Sequence, residues 1–290
     1  IVGGGYIGIE CAEAFVHLGK RVRVIEASSR ILNSFDEEMA ELANEELRKN
    51  GVQLHLGEKV QSFHGDFTVA SVETNKGTYA ADLVIVAVGV RPATGFLKDT
   101  GIAMAPNGAI FVDRELRTSI PDVYAAGDCI MCYNEALQDS SFLALGTVAN
   151  KCGRIAGANL AGDHQQFLGA LGTAAIKVCG LELGRTGLGQ ADAVRLGKRF
   201  KTVTVNAYDH PAYYPDPTPI TIKLIYEEDT KKILGAQTCG VKGAVLRTDI
   251  FAVAIHAEMT TEKLGMADLA YAPPFAGVWD AVHIACNAAK

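Results

Sequence analysis

Apolar residues recur at helical spacing close to the start of the chain. Ile9, Ala12 and Phe15 predict the inner face of a helix over about 8–18, with Gly19 as its stop. Residues 21–25 read as a strand ending at Glu26, and a polar loop follows over 27–35. Asp36 stands where an N-cap belongs, and Met39, Leu42, Ala43 and Leu47 then share one helical face until Gly51. Residues 52–56 form a short strand, and 60–72 and 78–80 read as antiparallel strands around the turn Asn75-Lys76-Gly77.

The run Leu83-Val84-Ile85-Val86-Ala87-Val88 is continuously apolar, as expected of a strand buried on both faces of a parallel sheet, and it ends at Gly89. A second strand is expected over 122–126, ending in Gly127-Asp128. The pattern changes near residue 165. Strands over 173–179, 202–207, 218–226 and 233–238 precede helices over about 243–258, 261–270 and 280–289, which suggests an α+β domain. Two rigid loops interrupt it, one with four prolines over 211–219 and one over 270–275.

Composition narrows the function classes. With 290 residues, 49% apolar and 21% charged, the chain is an ordinary globular protein large enough for two compact units. Its net charge of −6 argues against nucleic acid and anionic membrane as partners. The seven cysteines are scattered and odd in number, which points to a reducing, cytoplasmic setting rather than a disulfide framework. Cys129 and Cys132 form a CxxC, but no second pair or histidine spacing accompanies it, so no metal site is expected.

The chemistry lies in Ile1-Val2-Gly3-Gly4-Gly5-Tyr6-Ile7-Gly8-Ile9-Glu10. Gly3, Gly5 and Gly8 have the GxGxxG spacing that turns a strand into a helix against a pyrophosphate. The helix N-terminus offers free N–H groups and a positive dipole end to the anion. Glu26 ends the next strand 18 residues past Gly8, where a carboxylate accepts ribose hydroxyls and repels a 2′-phosphate. NADH is therefore expected over NADPH. Gly89, at the carboxyl end of the apolar run, is expected near the nicotinamide half of the cofactor. Only two residues precede the glycines, where a strand of about 5 to 6 is usual, so the sequence is expected to be a fragment cut within its first strand.

Four stretches then stand in the order of a known family: GGGYIGIE, AVGVRP (87–92), VYAAGDC (123–129) and YAPPF (271–275). The chain resembles the pyridine nucleotide–disulfide oxidoreductases, in the single-cysteine branch of coenzyme A disulfide reductases, NADH oxidases and NADH peroxidases. The resemblance implies a Rossmann-like NAD domain over 1–112, the returning part of an FAD domain over 113–165, and an α+β dimerisation domain over 168–290. It also implies that Gly3, Gly5 and Gly8 cradle NAD, that Tyr6 and Ile7 lie beside nicotinamide and flavin, and that Glu10 lies near the nicotinamide amide. Gly127 and Asp128 resemble the FAD ribityl site, and Leu145, Gly146 and Thr147 the backbone that meets the isoalloxazine ring. Phe275 belongs to the same cofactor-binding set.

Tyr213 and Tyr271 resemble a tyrosine pair that coenzyme A disulfide reductases direct toward the partner subunit's active site; surface aromatics on such loops also serve simple dimer packing. Trp279 stands where that branch would carry lysine and looks more like the oxidases and peroxidases. The family's redox cysteine lies in an N-terminal half that this chain lacks. The implied enzyme is a homodimeric, cytoplasmic flavoprotein of redox homeostasis that passes hydride from NADH through FAD to a disulfide or persulfide, with oxygen or peroxide as the alternative acceptor. The 290 residues alone are expected to be a non-catalytic, NAD-binding, dimerising module.

Overall fold

Gly5 ends the glycine turn in an extended conformation, and Ile9 N–H already reaches its carbonyl, so helix α1 runs over Tyr6–His17. That is two residues earlier than the apolar spacing suggested. The computed structural model describes residues 1–290, and α1 buries Ile9 and Ala12 completely. Strand β1 (Arg23–Glu26) lies parallel to β2 (Gln53–Leu56), and helix α2 (Glu37–Lys49) connects them. Glu37 and Glu38 in its first turn and Arg48 and Lys49 in its last complement the helix dipole.

Val2 completes the sheet, bridging Ile25 on one side and Val86 on the other, both parallel. The spatial order is therefore 53–56, 23–26, Val2, Val86, the 3-2-1-4 order of a Rossmann half. The apolar run 83–88 differs from expectation here. Its only sheet partner is Val2, through Val2 N–H to Ile85 O and Ala87 N–H to Val2 O, both 2.8 Å. Its other edge is unpaired, and Val86 and Val88 are 57% and 71% exposed rather than buried on both faces.

Strands β3 (Val60–His64), β4 (Ser71–Thr74) and β5 (Thr78–Ala80) form an antiparallel sheet. The expected single run over 60–72 is divided because Gly65, at φ +152°, turns the chain where a Cβ would lie 1.9 Å from Thr68 O.

The middle of the chain holds β6 (Ile110–Phe111), β7 (Ile130–Asn134), β8 (Asp139–Phe142) and α3 (Gly146–Leu160). The strand expected over 122–126 is an extended segment with a single bridge, Tyr124 to Arg117. Asp122, at φ +63°, folds it back on 116–118 before any ladder can extend. Helix α3 packs Val148, Cys152 and Ala156 against Leu116, Ile130 and Cys132.

The C-terminal half is one antiparallel sheet. Strands β9 (Ala174–Val178), β10 (Leu181–Gly187), β11 (Phe200–Tyr208), β12 (Pro219–Glu227) and β13 (Ile233–Gly240) take the order β11-β12-β13-β10-β9, with helix α4 (Gln190–Arg195) between β10 and β11. Helices α5 (Ala244–His256), α6 (Thr261–Gly265) and α7 (Ala281–Ala288) cover one face. The helix expected over 261–270 is thus only one turn long.

Strand alternation on β12 explains how both sheet faces become core. Ile220, Ile222, Leu224 and Tyr226 meet Phe251, Val282 and Ala285. On the other face Ile225 meets Leu188 and Ala193, while Ile176, Val178, Leu183 and Cys239 of the same sheet pack with Ile9, Met39, Ala43 and Leu47. The nucleotide-type half and the C-terminal sheet therefore share a continuous apolar core.

Candidate functional site

Each glycine of the turn has a different physical reason. Gly3 sits at φ +105°, and a Cβ there would lie 2.3 Å from Ala87 O, so only glycine lets the turn pass strand 83–88 so closely. A Cβ on Gly8 would lie 2.0 Å from Gly3 O, so the third glycine sets how tightly α1 packs on the turn. A Cβ on Gly5 would meet nothing within 4 Å. The backbone there borders open space at the start of α1, which has no side-chain cap and no acidic residue in its first turn. Such a terminus receives an anion well.

Glu26 does more than face this space. Its Oε2 accepts Gly4 N–H at 2.6 Å and its Oε1 accepts Ser28 N–H at 2.7 Å. It thus clips the glycine turn to the loop after β1. Each carboxylate oxygen retains acceptor capacity toward solvent or a hydroxyl. The adjacent Gly4 and the Ser28 amide were not singled out from the sequence, because backbone donors leave no side-chain signal.

Tyr6 turns toward the core: its hydroxyl accepts a bond from Ser34 Oγ at 3.1 Å, and its ring lies 6.2 Å from that of Phe35. Burial pushes this phenol above the ordinary tyrosine range. Ile7 is exposed beside it. Glu10 is exposed, and lines a cleft of about 510 Å³ with Lys177 and Glu182 at the edge of the C-terminal sheet.

Gly89 and Gly127 both occupy the left-handed region, at φ +107° and +93°, with open space where a Cβ would stand. Asp128 is exposed. Leu145 is the N-cap residue of α3, which again lacks a side-chain cap, and Gly146 and Thr147 are exposed in its first turn.

The C-terminal aromatics do come together. Tyr213 and Tyr271, 58 residues apart, place their hydroxyls 3.0 Å from each other. That bond holds the Tyr213 phenol above its ordinary range. Tyr213 is 74% exposed, and Phe275 and Trp279, shortly after Tyr271 in the chain, are exposed as well. All seven cysteines are free thiols. Burial pushes Cys132 to about 11 and Cys152, Cys239 and Cys286 to about 12, so none of these four is a thiolate at neutral pH. No helix is long and apolar enough to cross a membrane.

Residues 1–154 match the family described as pyridine nucleotide-disulphide oxidoreductase. The chain belongs to that family. Residues 173–282 match its dimerisation domain. An NAD(P)H sulfur oxidoreductase (CoA-dependent) of Pyrococcus furiosus is 39% identical over all of this chain, which spans 65% of that protein's length. An NADH oxidase of Enterococcus faecalis is 35% identical, again over all of this chain and 65% of its own length. Among solved structures, an NAD-dependent persulfide reductase from A. fulgidus superposes with a TM-score of 0.95 at 35% identity, covering 99% of this chain and 54% of that one.

Proposed function

We propose that these residues form the nucleotide-binding and dimerising part of an FAD-dependent NADH:disulfide oxidoreductase, with coenzyme A disulfide or a persulfide as acceptor. The observation that carries this reading is the glycine turn: tight at Gly3 and Gly8, open at Gly5, and clipped by a carboxylate at the end of β1. That cradle fits a dinucleotide. The N-terminal amides of α1 would hold the pyrophosphate, and Glu26 the adenosine ribose hydroxyls. Tyr6, Ile7, Glu10 and Gly89 would border the nicotinamide end.

For FAD, the open left-handed turn at Gly127, the exposed Asp128 carboxylate and the uncapped start of α3 at Leu145–Thr147 fit a second nucleotide. Bound FAD would supply the electron relay between nicotinamide and acceptor. This chain's part would be to bind and orient: Asp128 would accept hydroxyls, the uncapped α3 terminus would offer backbone N–H groups to the cofactor, and Phe275 would pack against it. Residues 1–112, 113–165 and 168–290 would be the NAD, FAD and dimerisation units.

Tyr213 and Tyr271 would reach the active site of a partner subunit in a two-fold homodimer, which the exposed aromatic loops and the dimerisation-domain match support. The scattered free thiols favour a cytoplasmic setting. A second reading, NADH oxidase or peroxidase, draws on Trp279 and on the similarity to the E. faecalis protein.

The deciding experiment is acceptor-dependent NADH oxidation by the full-length protein. Turnover with coenzyme A disulfide or persulfide is expected. Oxygen consumption with inertness toward both sulfur acceptors would select the second reading. The 290 residues alone should bind NADH weakly and oxidise none of it.

A further inference from the structure

Lys223 of β12, Gln237 of β13 and Arg185 of β10 are direct cross-strand partners, so their side chains stand in one row on one sheet face. Two residues along each strand, Ile225, Cys239 and Leu183 share that face and are apolar core. A polar row buried among them costs free energy unless it is paired. Its partners lie in the nucleotide-type half. Lys223 Nζ meets Asp36 Oδ2 at 2.9 Å, and Gln237 Oε1 accepts Asp36 N–H at 2.8 Å. Asp36 Oδ1 also accepts Gln190 N–H at 3.0 Å. At the third place in the row, burial raises the Tyr6 phenol and the Arg185 charge works against it.

Asp36 is the far end of loop 27–35, and the rest of that loop is fastened to the glycine turn. Leu32 N–H donates to Gly4 O at 2.8 Å, and Ser34 Oγ donates to the Tyr6 hydroxyl at 3.1 Å. Ser28 N–H reaches Glu26 Oε1, whose other oxygen holds Gly4 N–H. The packing is equally close, since a Cβ on Gly4 would lie 2.7 Å from Ile31 Cγ2. Leu32 itself is held at φ +47°. A leucine keeps that left-handed conformation only where its surroundings over-determine it. The loop therefore spans two anchors, the glycine turn at one end and the C-terminal sheet at the other.

We propose that Gln237 is a positioning residue for the nucleotide: by holding Asp36 N–H it fixes loop 27–35, and the loop fixes the glycine turn and Glu26 in the shape that receives pyrophosphate and ribose. The sheet of the dimerisation domain thereby takes part in NADH binding from outside the cradle. Gln237 is singled out because it is completely buried and its Nε2 makes no hydrogen bond, so its bond to Asp36 is what the amide contributes. Lys223 in contrast also meets Glu38 and Gln190. The inference rests on the reading of the glycine turn as a dinucleotide cradle.

The test uses the full-length protein and calorimetry with two ligands. ADP-ribose carries the pyrophosphate and the adenosine ribose but no nicotinamide. In Gln237→Met, NADH and ADP-ribose should weaken severalfold and alike. KM for NADH should rise by the same factor, with kcat for a small artificial electron acceptor unchanged. A lower melting temperature with both affinities unaltered would make Gln237 a core residue alone and overturn the proposal.

A second readout needs no variant. Coupling between two sites is reciprocal, so bound NADH should tighten the Asp36 fastening. Hydrogen exchange at the Asp36 and Gln190 amides should slow on NADH binding by more than exchange in the β11–β12 ladder does. Equal slowing in all of them, or none, also overturns the proposal. Gly5→Ala separates this inference from the reading beneath it. If Gly5→Ala leaves NADH affinity unchanged, the cradle falls and the positioning role with it. If Gly5→Ala weakens NADH but Gln237→Met does not, the cradle stands and the positioning role alone falls.

Discussion

Lys223 places its Nζ 2.9 Å from Asp36 Oδ2, and this pair joins the two halves of the molecule. Lys223 is 1% exposed on β12, and its ammonium also meets Glu38 and Gln190 Oε1. Asp36 has the backbone of an N-cap, but its carboxylate makes no cap bond within α2. It accepts Gln190 N–H from α4 instead, and its own N–H donates to Gln237 Oε1 of β13. The cap position has been turned into a cross-chain fastening.

Removing one partner of such a pair leaves a buried charge alone, which costs about 3–5 kcal/mol. Lys223→Met is therefore expected to lower stability by that order in urea unfolding. Adding Asp36→Asn should recover part of the loss, because the orphaned carboxylate is then neutral. Equal loss in the single and double variants would show that packing rather than charge is responsible.

The same ammonium gives a pH dependence. Burial raises the Glu38 carboxyl, but the Lys223 hydrogen bond, a backbone bond and the Lys223 and Arg30 charges outweigh it, and the folded value lies below the ordinary 4.5. The group's contribution is thus present above about pH 4.5 and is lost as pH falls through the lower folded value. Glu38 is half exposed, so the effect should stay below about 1 kcal/mol. Glu38→Gln should flatten the stability profile between pH 5 and 3 by that amount, measured by denaturant titration at each pH.

Much of this was legible in the chain because it depends on local rules. The GxGxxG turn, the strand-end Glu26, the α2 cap position and the strand over 218–226 all follow from local sequence. Strand β10 was missed because Leu181-Glu182-Leu183-Gly184-Arg185-Thr186-Gly187 contains two glycines, which ordinarily weaken a strand. Here a Cβ on Gly184 would lie 2.1 Å from Thr248 Oγ1, so the glycine admits α5. The β7–β8 hairpin and α4 are short and rest on tertiary contacts. Strand 83–88 was misjudged for the opposite reason: its composition reports burial, while pairing requires partners, and Val2 alone supplies them here. The Tyr213–Tyr271 pair came from resemblance, since nothing in either loop's own sequence says that they meet.

The glycine turn separates packing from binding. Gly8→Ala brings a methyl to within 2.0 Å of Gly3 O, a backbone atom that cannot move without displacing α1. It should destabilise the fold by about 1–3 kcal/mol as overpacking does, lowering the melting temperature with or without nucleotide. Gly5→Ala places its methyl in open space at φ −79°, which alanine adopts readily. Stability should change by less than about 1 kcal/mol, while NADH affinity measured by calorimetry falls at least tenfold because the methyl occupies the phosphate approach. An unchanged affinity in Gly5→Ala would remove the pyrophosphate from this turn.

Glu26 offers the sharpest separation of a structural from a recognition effect. Both its oxygens already accept backbone N–H bonds, from Gly4 and Ser28. Glu26→Gln turns an amide N–H₂ toward one of these donors, so it should cost about 1–3 kcal/mol of stability for the unmade bond. Glu26→Ala should cost a similar amount by losing both. A ribose-binding carboxylate makes a second demand, on cofactor choice. Losing it removes two hydroxyl acceptors for NADH and a repulsive charge for the NADPH phosphate, so the two affinities should converge in both variants, NADH weakening about tenfold and NADPH weakening less or improving. Calorimetric titration of each variant with each nucleotide, beside its melting temperature, reads the two effects independently. A fall in melting temperature with an unchanged NADH-to-NADPH ratio would make Glu26 a clip for the turn alone, and the cofactor preference would then have to come from elsewhere on the loop after β1.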